Sequence, residues 1–368
     1  MLHVDLPTDE DLRQLADAPP AATVTVYLPT TPVTVDADAD RIAFVNLARE
    51  GVETLRAAGT ADVEADAIAE QLDDLADDTE FWAHQANGLA VFSTAAGTAT
   101  FRLPDPIGPS VDAGERGRLA PLVAAATAPR AFLVLDVSAD GARLLESNGD
   151  GAATRIPVPE MPKSAADHAG KANINDRSMS GRLVGDEGRN VHLRSYARAV
   201  NAAVRPLLHG QGEPMVLVAT EPLATMFREV NSYPHLLESG VSLSADHEDD
   251  AAVSRLAAPV AAEAAEATTA ALLELLSVRH DAGRAAFDPS TVARAAVQGA
   301  VATLLLDTSA ELPGAVNDDG SLDSTGGAGG VTEDLVRLVL SSGGSVRHVD
   351  ADRLPGQTPV AAILRWAA

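Results

Sequence analysis

The sequence predicts a mixed α/β fold, with helices flanking several mixed sheets, divided among three domains. Its 368 residues exceed what one ordinary hydrophobic core contains. Hydrophobic residues make up 46%, which is normal for a globular protein. The apolar pattern alternates along the chain between the period of strands and the period of helices. We expect domains at 1–128, 129–250 and 251–368.

The first domain is predicted to open with a half-buried strand over 23–28, where polar and apolar residues alternate. Apolar residues then recur at helical spacing over 42–55 and 63–75. Two strands follow at 88–93 and 98–103, joined by a short turn as a hairpin.

The second domain begins with a continuous apolar run over 131–135, which is typical of a buried strand, and a turn at 139–141 predicts a hairpin. Residues 160–190 are rich in Gly, Ser, Asn, Asp and Arg, which predicts a long basic loop of functional or mobile character. The helix that follows has one apolar face, and Pro206 should end or kink it. A buried strand is predicted at 215–219.

The third domain is predicted to start with a long Ala- and Glu-rich helix over 248–281 that breaks at Pro259. Helix and strand patterns then alternate from 289 to 366. A Gly- and Asp-rich segment over 317–330 predicts a surface loop.

Charge is unevenly distributed along the chain. The net charge of −26 opposes an approach to nucleic acid. Residues 163–205 are the exception, with eight basic side chains against four acidic ones. The basic residues are Lys163, Lys171, Arg177, Arg182, Arg189, Arg194, Arg198 and Arg205.

Three of these arginines, Arg194, Arg198 and Arg205, fall within about 40° of one another on a helical wheel, away from the apolar face. A planar guanidinium suits bidentate contact with phosphate, so the eight basic residues are predicted to bind RNA. The alternative is a solvated helix face with intrahelical salt bridges.

The sequence offers little for catalysis or metal binding. The chain has no cysteine, which excludes disulfides, thiolate nucleophiles and iron–sulfur clusters. Its histidines lack zinc-site spacing, and no Gly-x-Ser-x-Gly is present. Residues 136–141 resemble the start of a calcium loop, but Ser147 stands where that loop needs Glu. We therefore expect no cofactor, no metal and no catalytic residue.

The N-terminus lacks the pattern of a signal peptide, and no apolar run approaches the ~20 residues needed to span a bilayer. We expect a soluble, cytoplasmic protein without a membrane partner. The pattern does not decide the oligomeric state.

Several segments resemble the class I release factors of archaea and eukaryotes and their relative Pelota. Residues 298–306, Gln-Gly-Ala-Val-Ala-Thr-Leu-Leu-Leu, resemble the helix, glycine and strand that open the third domain of those factors. Residues 343–346 and 361–366 resemble its closing strands. Residues 131–146 and 215–219 resemble the middle domain, and Tyr27-Leu28-Pro29 with 88–92 looks like the first domain of the bacterial archaeo-eukaryotic release factor proteins.

The resemblance implies a three-domain protein that binds the ribosomal A site, with ribosomal RNA and a translational GTPase as partners. Its third domain would have the fold of kink-turn-binding ribosomal proteins. The termination factors carry Gly-Gly-Gln in the middle-domain loop for peptidyl-tRNA hydrolysis, and residues 167–189 contain no such tripeptide. The nearest fragment, His209-Gly210-Gln211-Gly212, is predicted to be a turn between a helix and a strand.

The predicted function is ribosome binding without peptidyl-tRNA hydrolysis, for hibernation, rescue or stress protection. One alternative is an RNA-directed hydrolase, either a peptidyl-tRNA hydrolase or an endonuclease, that uses the middle-domain loop. Another is a stress-regulated scaffold in which the basic loop neutralises acidic neighbours and binds no RNA.

Overall fold

A computed structural model describes residues 4–32, 37–127, 132–147, 153–175, 186–209, 212–246, 248–310, 312–323 and 330–367, with the backbone alone at 37, 171–175 and 186–188. The prediction of a mixed α/β fold is confirmed. The chain forms two compact units, one from residues 1–128 together with 272–368 and the other from residues 129–271. The first and third predicted domains thus share a unit, and independent folding of three domains stays a prediction.

The N-terminal part of the first unit is a four-stranded antiparallel sheet with helices. Its elements are α1 (Asp9–Asp17), β1 (Thr23–Pro29), α2 (Ala37–Ala57), α3 (Asp62–Asp77), α4 (Thr79–Ala83), β2 (Gly88–Thr94), β3 (Gly97–Leu103), β4 (Ser110–Gly114) and α5 (Ala120–Thr127). The strand order is β3-β2-β1-β4. The predicted hairpin is confirmed, because β2 and β3 pair from Thr94 and Gly97 outward to Gly88 and Leu103.

The second unit is a five-stranded mixed sheet with helices. It contains β5 (Phe132–Val137), β6 (Ala142–Ser147), β7 (Ala153–Ile156), α6 (Ala165–Asn175), α7 (Asp186–Leu208), β8 (Met215–Val218), α8 (Leu223–Val230), β9 (Leu236–Val241) and the first part of α9 (Asp250–Asp281). The strand order is β7-β6-β5-β8-β9. β8 pairs in parallel with β5 and β9, and β6 pairs antiparallel with β5 and β7.

The predicted long loop is wrong over 165–175 and 186–190, which are helical. Ser164 Oγ accepts a hydrogen bond from Asp167 N at 3.0 Å, as a cap residue does at the start of a helix. Of the α6 side chains that the structure describes, Ala165 is the buried one, so this segment has almost no apolar periodicity to reveal a helix. Residues 176–185 lie outside the described residues.

The break predicted in α9 does not occur, and α7 ends close to the proline that was predicted to end or kink it. Helix α7 continues two residues past Pro206, and α9 runs through Pro259 to Asp281. A proline inside a helix removes one hydrogen bond and costs about 3 kcal/mol. Packing offsets this cost at α9, because Val253 and Ala257 are buried in the second unit and Leu276 is buried in the first.

By length and composition alone, α9 would also reach across a bilayer, and it is the one helix in the described ranges for which this is true. Two exposed glutamates, Glu263 and Glu266, lie near its middle, where charged groups are costly in a membrane. The absence of a membrane partner stays a prediction.

The C-terminal part of the first unit is a second mixed sheet. It contains β10 (Ala285–Ala286), α10 (Pro289–Val297), β11 (Val301–Leu306), the short pair β12 (Ala315–Val316) and β13 (Leu322–Asp323), α11 (Gly330–Ser341), β14 (Ser345–His348) and β15 (Val360–Leu364). The strand order is β10-β15-β11-β14, with β14 parallel to β11 and β15 antiparallel to it.

Strand β1 is buried throughout except at Pro29, so the prediction of a half-buried strand is wrong. Val24 and Val26 belong to a core formed with α2, α3 and α4. Tyr27 belongs to the other core, which includes Val336 and Val339 of α11. The alternation of polar and apolar residues indicated that one face of β1 is exposed to solvent. Both faces are buried because the C-terminal part of the chain packs on that face.

Helix α11 supplies a buried carboxylate to the start of α5. Glu333, 7% exposed, accepts hydrogen bonds from the backbone N–H groups of Leu119 at 2.7 Å and Ala120 at 3.0 Å. The first turn of a helix leaves such N–H groups without partners inside the helix. Glu333 therefore caps α5 across more than 210 residues of chain.

One turn further along α11, Arg337 binds the end of α1. Its Nη1 donates to the carbonyl oxygens of Leu15 at 2.9 Å and Ala16 at 3.0 Å, and its Nη2 donates to that of Gly117 at 2.8 Å. The last carbonyls of a helix also lack partners within it. Helix α11 thus caps one end of each of two helices and joins the two parts of the first unit.

We expect Glu333→Ala to lower the free energy of unfolding of the first unit by about 2–4 kcal/mol, because two buried N–H groups lose their acceptor. Urea unfolding followed by tryptophan fluorescence measures this unit alone, since both tryptophans, Trp82 and Trp366, lie in it. Glu70→Ala, at an exposed position of α3, is the matched control and should change little. Equal stability of the two variants would contradict the capping role.

The same carboxyl predicts a pH dependence. Burial raises the pKa of Glu333 above its ordinary value of 4.5, against the opposing effect of the two N–H groups. The fold therefore favours the protonated carboxyl of Glu333. The resulting stabilisation is complete below pH 4.5 and is lost as the pH rises through the folded pKa. We compare the free energies of unfolding of wild type and Glu333→Gln across this pH range. The value for wild type minus that for Glu333→Gln should decrease as the pH rises.

Candidate nucleic-acid interface

The sheet of the second unit holds α7 with one side facing the core. Leu193, Tyr196, Val200 and Val204 are all buried, which confirms the predicted apolar face. Because α7 lies in the connection between the parallel strands β5 and β8, it packs on the sheet and turns its opposite side outward.

The outward side of α7 carries the basic residues that the sequence singled out. Arg189, Arg198 and Arg205 are exposed, and no ion pair with another described residue involves them. Arg194 differs, because its Nη2 lies 2.9 Å from Glu229 Oε2 on α8. We call Arg194, Arg198 and Arg205 the arginine stripe.

The ion pair between Arg194 and Glu229 is weak because both side chains are accessible to solvent. Both side chains are about half exposed, at 43% and 51%, and exposed pairs of this kind contribute about 1 kcal/mol or less. Asn201, between the other two arginines, accepts hydrogen bonds from Ser232 N at 3.2 Å and Ser232 Oγ at 3.3 Å. The stripe is thus flanked by polar groups of α8 and the segment after it.

The remaining predicted residues are only partly described. Lys163 is exposed just before α6. Lys171 lies in α6, and its side chain is outside the described part of the chain, as are Arg177 and Arg182 altogether. The structure therefore brings the arginine stripe together, and RNA binding by all eight residues stays a prediction.

The sequence analysis missed a network of charged side chains in this unit. Arg143 Nε lies 2.8 Å from Asp136 Oδ2 and Arg143 Nη1 lies 2.8 Å from Asp250 Oδ1. Arg143 Nη2 also donates to the carbonyl oxygens of Ala245 at 2.8 Å and Glu248 at 3.0 Å. One side chain thus fastens the β5–β6 hairpin to the start of α9.

The predicted hairpin is confirmed, and two acidic residues have defined partners in this network. The segment 136–141 is a hairpin end in which Asp136 pairs with Arg143, directly opposite on β6. Asp250 forms ion pairs with both Arg143 and Arg155. Burial raises the pKa of Asp136, while hydrogen bonds, first from Arg155, lower the pKa of Asp250.

Helices α6 and α7 also meet through a histidine and a serine. His168 Nε2 lies 3.0 Å from Ser195 Oγ, and both side chains are partly buried. Within the described ranges, no group of three or more histidine or acidic side chains is arranged to hold a metal ion.

The second unit matches a known protein family. The model of bacterial archaeo-eukaryotic release factor family 11 matches residues 128–264, which span the second unit almost entirely. The resemblance to the bacterial archaeo-eukaryotic release factor family is thereby confirmed. No curated protein sequence matches the chain.

Solved structures that match this chain include a release factor and Pelota proteins. The archaeal translation termination factor aRF1 is 17% identical over 98% of this chain and 99% of its own, with a TM-score of 0.25. Archaeoglobus fulgidus Pelota is 13% identical over 99% and 94%, with a TM-score of 0.34. An archaeal Pelota, from a ribosome-bound model with ABCE1, is 15% identical over 99% and 96%, with a TM-score of 0.42.

We expect Arg143→Ala to destabilise the second unit by about 3 kcal/mol, because it leaves the buried Asp136 carboxylate without its cation. Arg155→Ala is the matched control, since Arg155 binds the same Asp250 but is 56% exposed, and should cost about 1 kcal/mol or less. Urea unfolding followed by circular dichroism measures both. If the two variants lose the same stability, Arg143 does not fasten this unit.

Proposed function

We propose that this chain is a ribosome-associated, translation-factor-like protein whose second unit binds RNA phosphates through the basic residues of segment 163–205. The observation that carries the proposal is that Arg198 and Arg205 stand exposed and without an ion pair among the described residues. They lie on α7, within the segment that matches a release-factor family. A guanidinium held in this way keeps its donors available for a phosphate.

Electrostatics restricts how such a protein can approach RNA. The net charge of −26 repels phosphate at long range, but salt screens charges beyond about 8 Å at physiological ionic strength. The local charge of the arginine stripe then decides the contact, and each phosphate contact releases condensed counterions. We expect binding that weakens steeply with salt.

We further propose that the protein docks in the ribosomal A site, in the cytoplasm, for hibernation, rescue or stress protection. A translational GTPase would be its second partner. The family supports a translation-related role, and the absence of Gly-Gly-Gln from the sequence supports binding without peptidyl-tRNA hydrolysis.

Replacing Arg198 and Arg205, which have no ion pair within the described ranges, tests the contact. Arg198→Ala with Arg205→Ala should weaken co-sedimentation with ribosomes and reduce the slope of log affinity against log salt by about 2, one for each lost contact. Adding Arg194→Ala should have a smaller further effect, because Glu229 already binds that side chain. Glu229→Gln should strengthen binding, because it releases Arg194.

Arg255→Ala is the matched control, since Arg255 is exposed on α9 of the same unit. The fold of each variant should be unchanged by circular dichroism, because the stripe lies away from the buried face of α7. If the double variant co-sediments as wild type does at two salt concentrations, the stripe is a solvated surface and the docking proposal fails.

A second candidate function, hydrolysis of an RNA-linked ester or phosphodiester, is favoured by the contact of His168 with Ser195. A histidine within hydrogen-bonding distance can activate a serine hydroxyl. Ser195, however, lies in the interior of α7, where backbone N–H groups bond within the helix and are not free to stabilise an oxyanion. The geometry therefore favours binding over cleavage.

We expect no cleavage of peptidyl-tRNA above the level of ribosomes alone. Incubation of the purified chain with ribosomes and peptidyl-tRNA, with release of the peptide measured over time, checks this. Wild type and Ser195→Ala should both leave the ester intact. Release by wild type that Ser195→Ala abolishes would establish the hydrolase instead.

A further inference from the structure

A groove of about 390 Å³ opens in the first unit, between the sheet and the end of α1. Two of its lining residues, Phe92 and Leu119, are buried. Its walls carry small side chains, including Ala18, Ala96 and Ala99. The volume lies in the range of small-ligand sites, about 300–1,000 Å³, and such sites are lined mainly by apolar groups.

The polar groups of this groove have an excess of positive charge. Arg116 and Arg337 line it against one carboxylate, that of the exposed Glu115. Arg337 is occupied, since it donates to three carbonyl oxygens at the ends of α1 and the segment before α5. A cation is thus held at the groove within a chain of net charge −26.

Arg116 has donors to spare. It is exposed, and within the described ranges it makes one long hydrogen bond, from Nη1 to the carbonyl oxygen of Ala18 at 3.4 Å. Arginine has five N–H donors. Desolvation is the main cause that lowers the pKa of Arg337, and the positive charge of the nearby Arg116 lowers it further. An anion beside Arg116 would relieve that repulsion.

We propose that this groove binds a free aliphatic carboxylate of medium chain length, with its tail along the apolar walls and its carboxylate on Arg116. The small side chains at Ala96 and Ala99 leave room for an unbranched tail. A carboxylate matches the planar guanidinium in two parallel hydrogen bonds. The ligand class differs from RNA, and the groove lies outside the unit that carries the arginine stripe.

Isothermal titration calorimetry with three eight-carbon probes tests the site on the full chain. Octanoate should bind with a dissociation constant on the order of 0.1–1 mM. 1-Octanol should bind several-fold more weakly, because it lacks the charge, and octylammonium more weakly still. Equal affinity for octanoate and octylammonium, or no heat from octanoate at 10 mM, would overturn the proposal.

Two variants locate the site. Ala99→Leu fills the groove from β3 and should weaken octanoate binding at least tenfold, and Arg116→Gln should weaken octanoate five- to tenfold while leaving 1-octanol unchanged. Arg49→Gln is the matched control, because Arg49 is exposed in the same unit and does not line the groove. Octanoate binding that survives Arg116→Gln in full contradicts the proposal even if Ala99→Leu does not fold.

Discussion

The parallel pairing of β5 with β8 is the constraint on which the second unit depends. Parallel neighbours cannot be joined by a tight turn, so the chain must cross over the sheet between Val137 and Met215. Helix α7 forms part of that crossover and buries Tyr196, Val200 and Val204 on the sheet. The position of the exposed arginines is therefore a consequence of sheet topology. The sheet that stabilises the second unit also holds α7 with its basic side outward.

The first unit depends on contacts that are distant in sequence. Covering both faces of its antiparallel sheet creates two cores from one set of strands, and the second core requires residues beyond position 272. Glu333 and Arg337 then satisfy backbone groups of α5 and α1 that would otherwise be buried without partners. This arrangement also leaves the groove beside Arg337, at the place where α1 ends.

Local patterns in the sequence predicted local structure well. The β2–β3 hairpin and the apolar face of α7 follow from residues within about one element of each other. The Asp136–Arg143 pair could also have been found, because the hairpin register places the two residues opposite each other. The burial of Tyr27 could not, since it depends on α11, some 300 residues away. Helix α6 was missed because its cap, Ser164, came without an apolar stripe.

Site-specific crosslinking tests most directly whether the outward side of α7 contacts RNA. Ala202 is exposed between Arg198 and Arg205, so a photoreactive amino acid can replace it without removing an arginine. On irradiation with ribosomes, position 202 should crosslink to ribosomal RNA, whereas the exposed position 267 on α9 should not. Crosslinks to RNA from position 267 but none from position 202 would contradict the account.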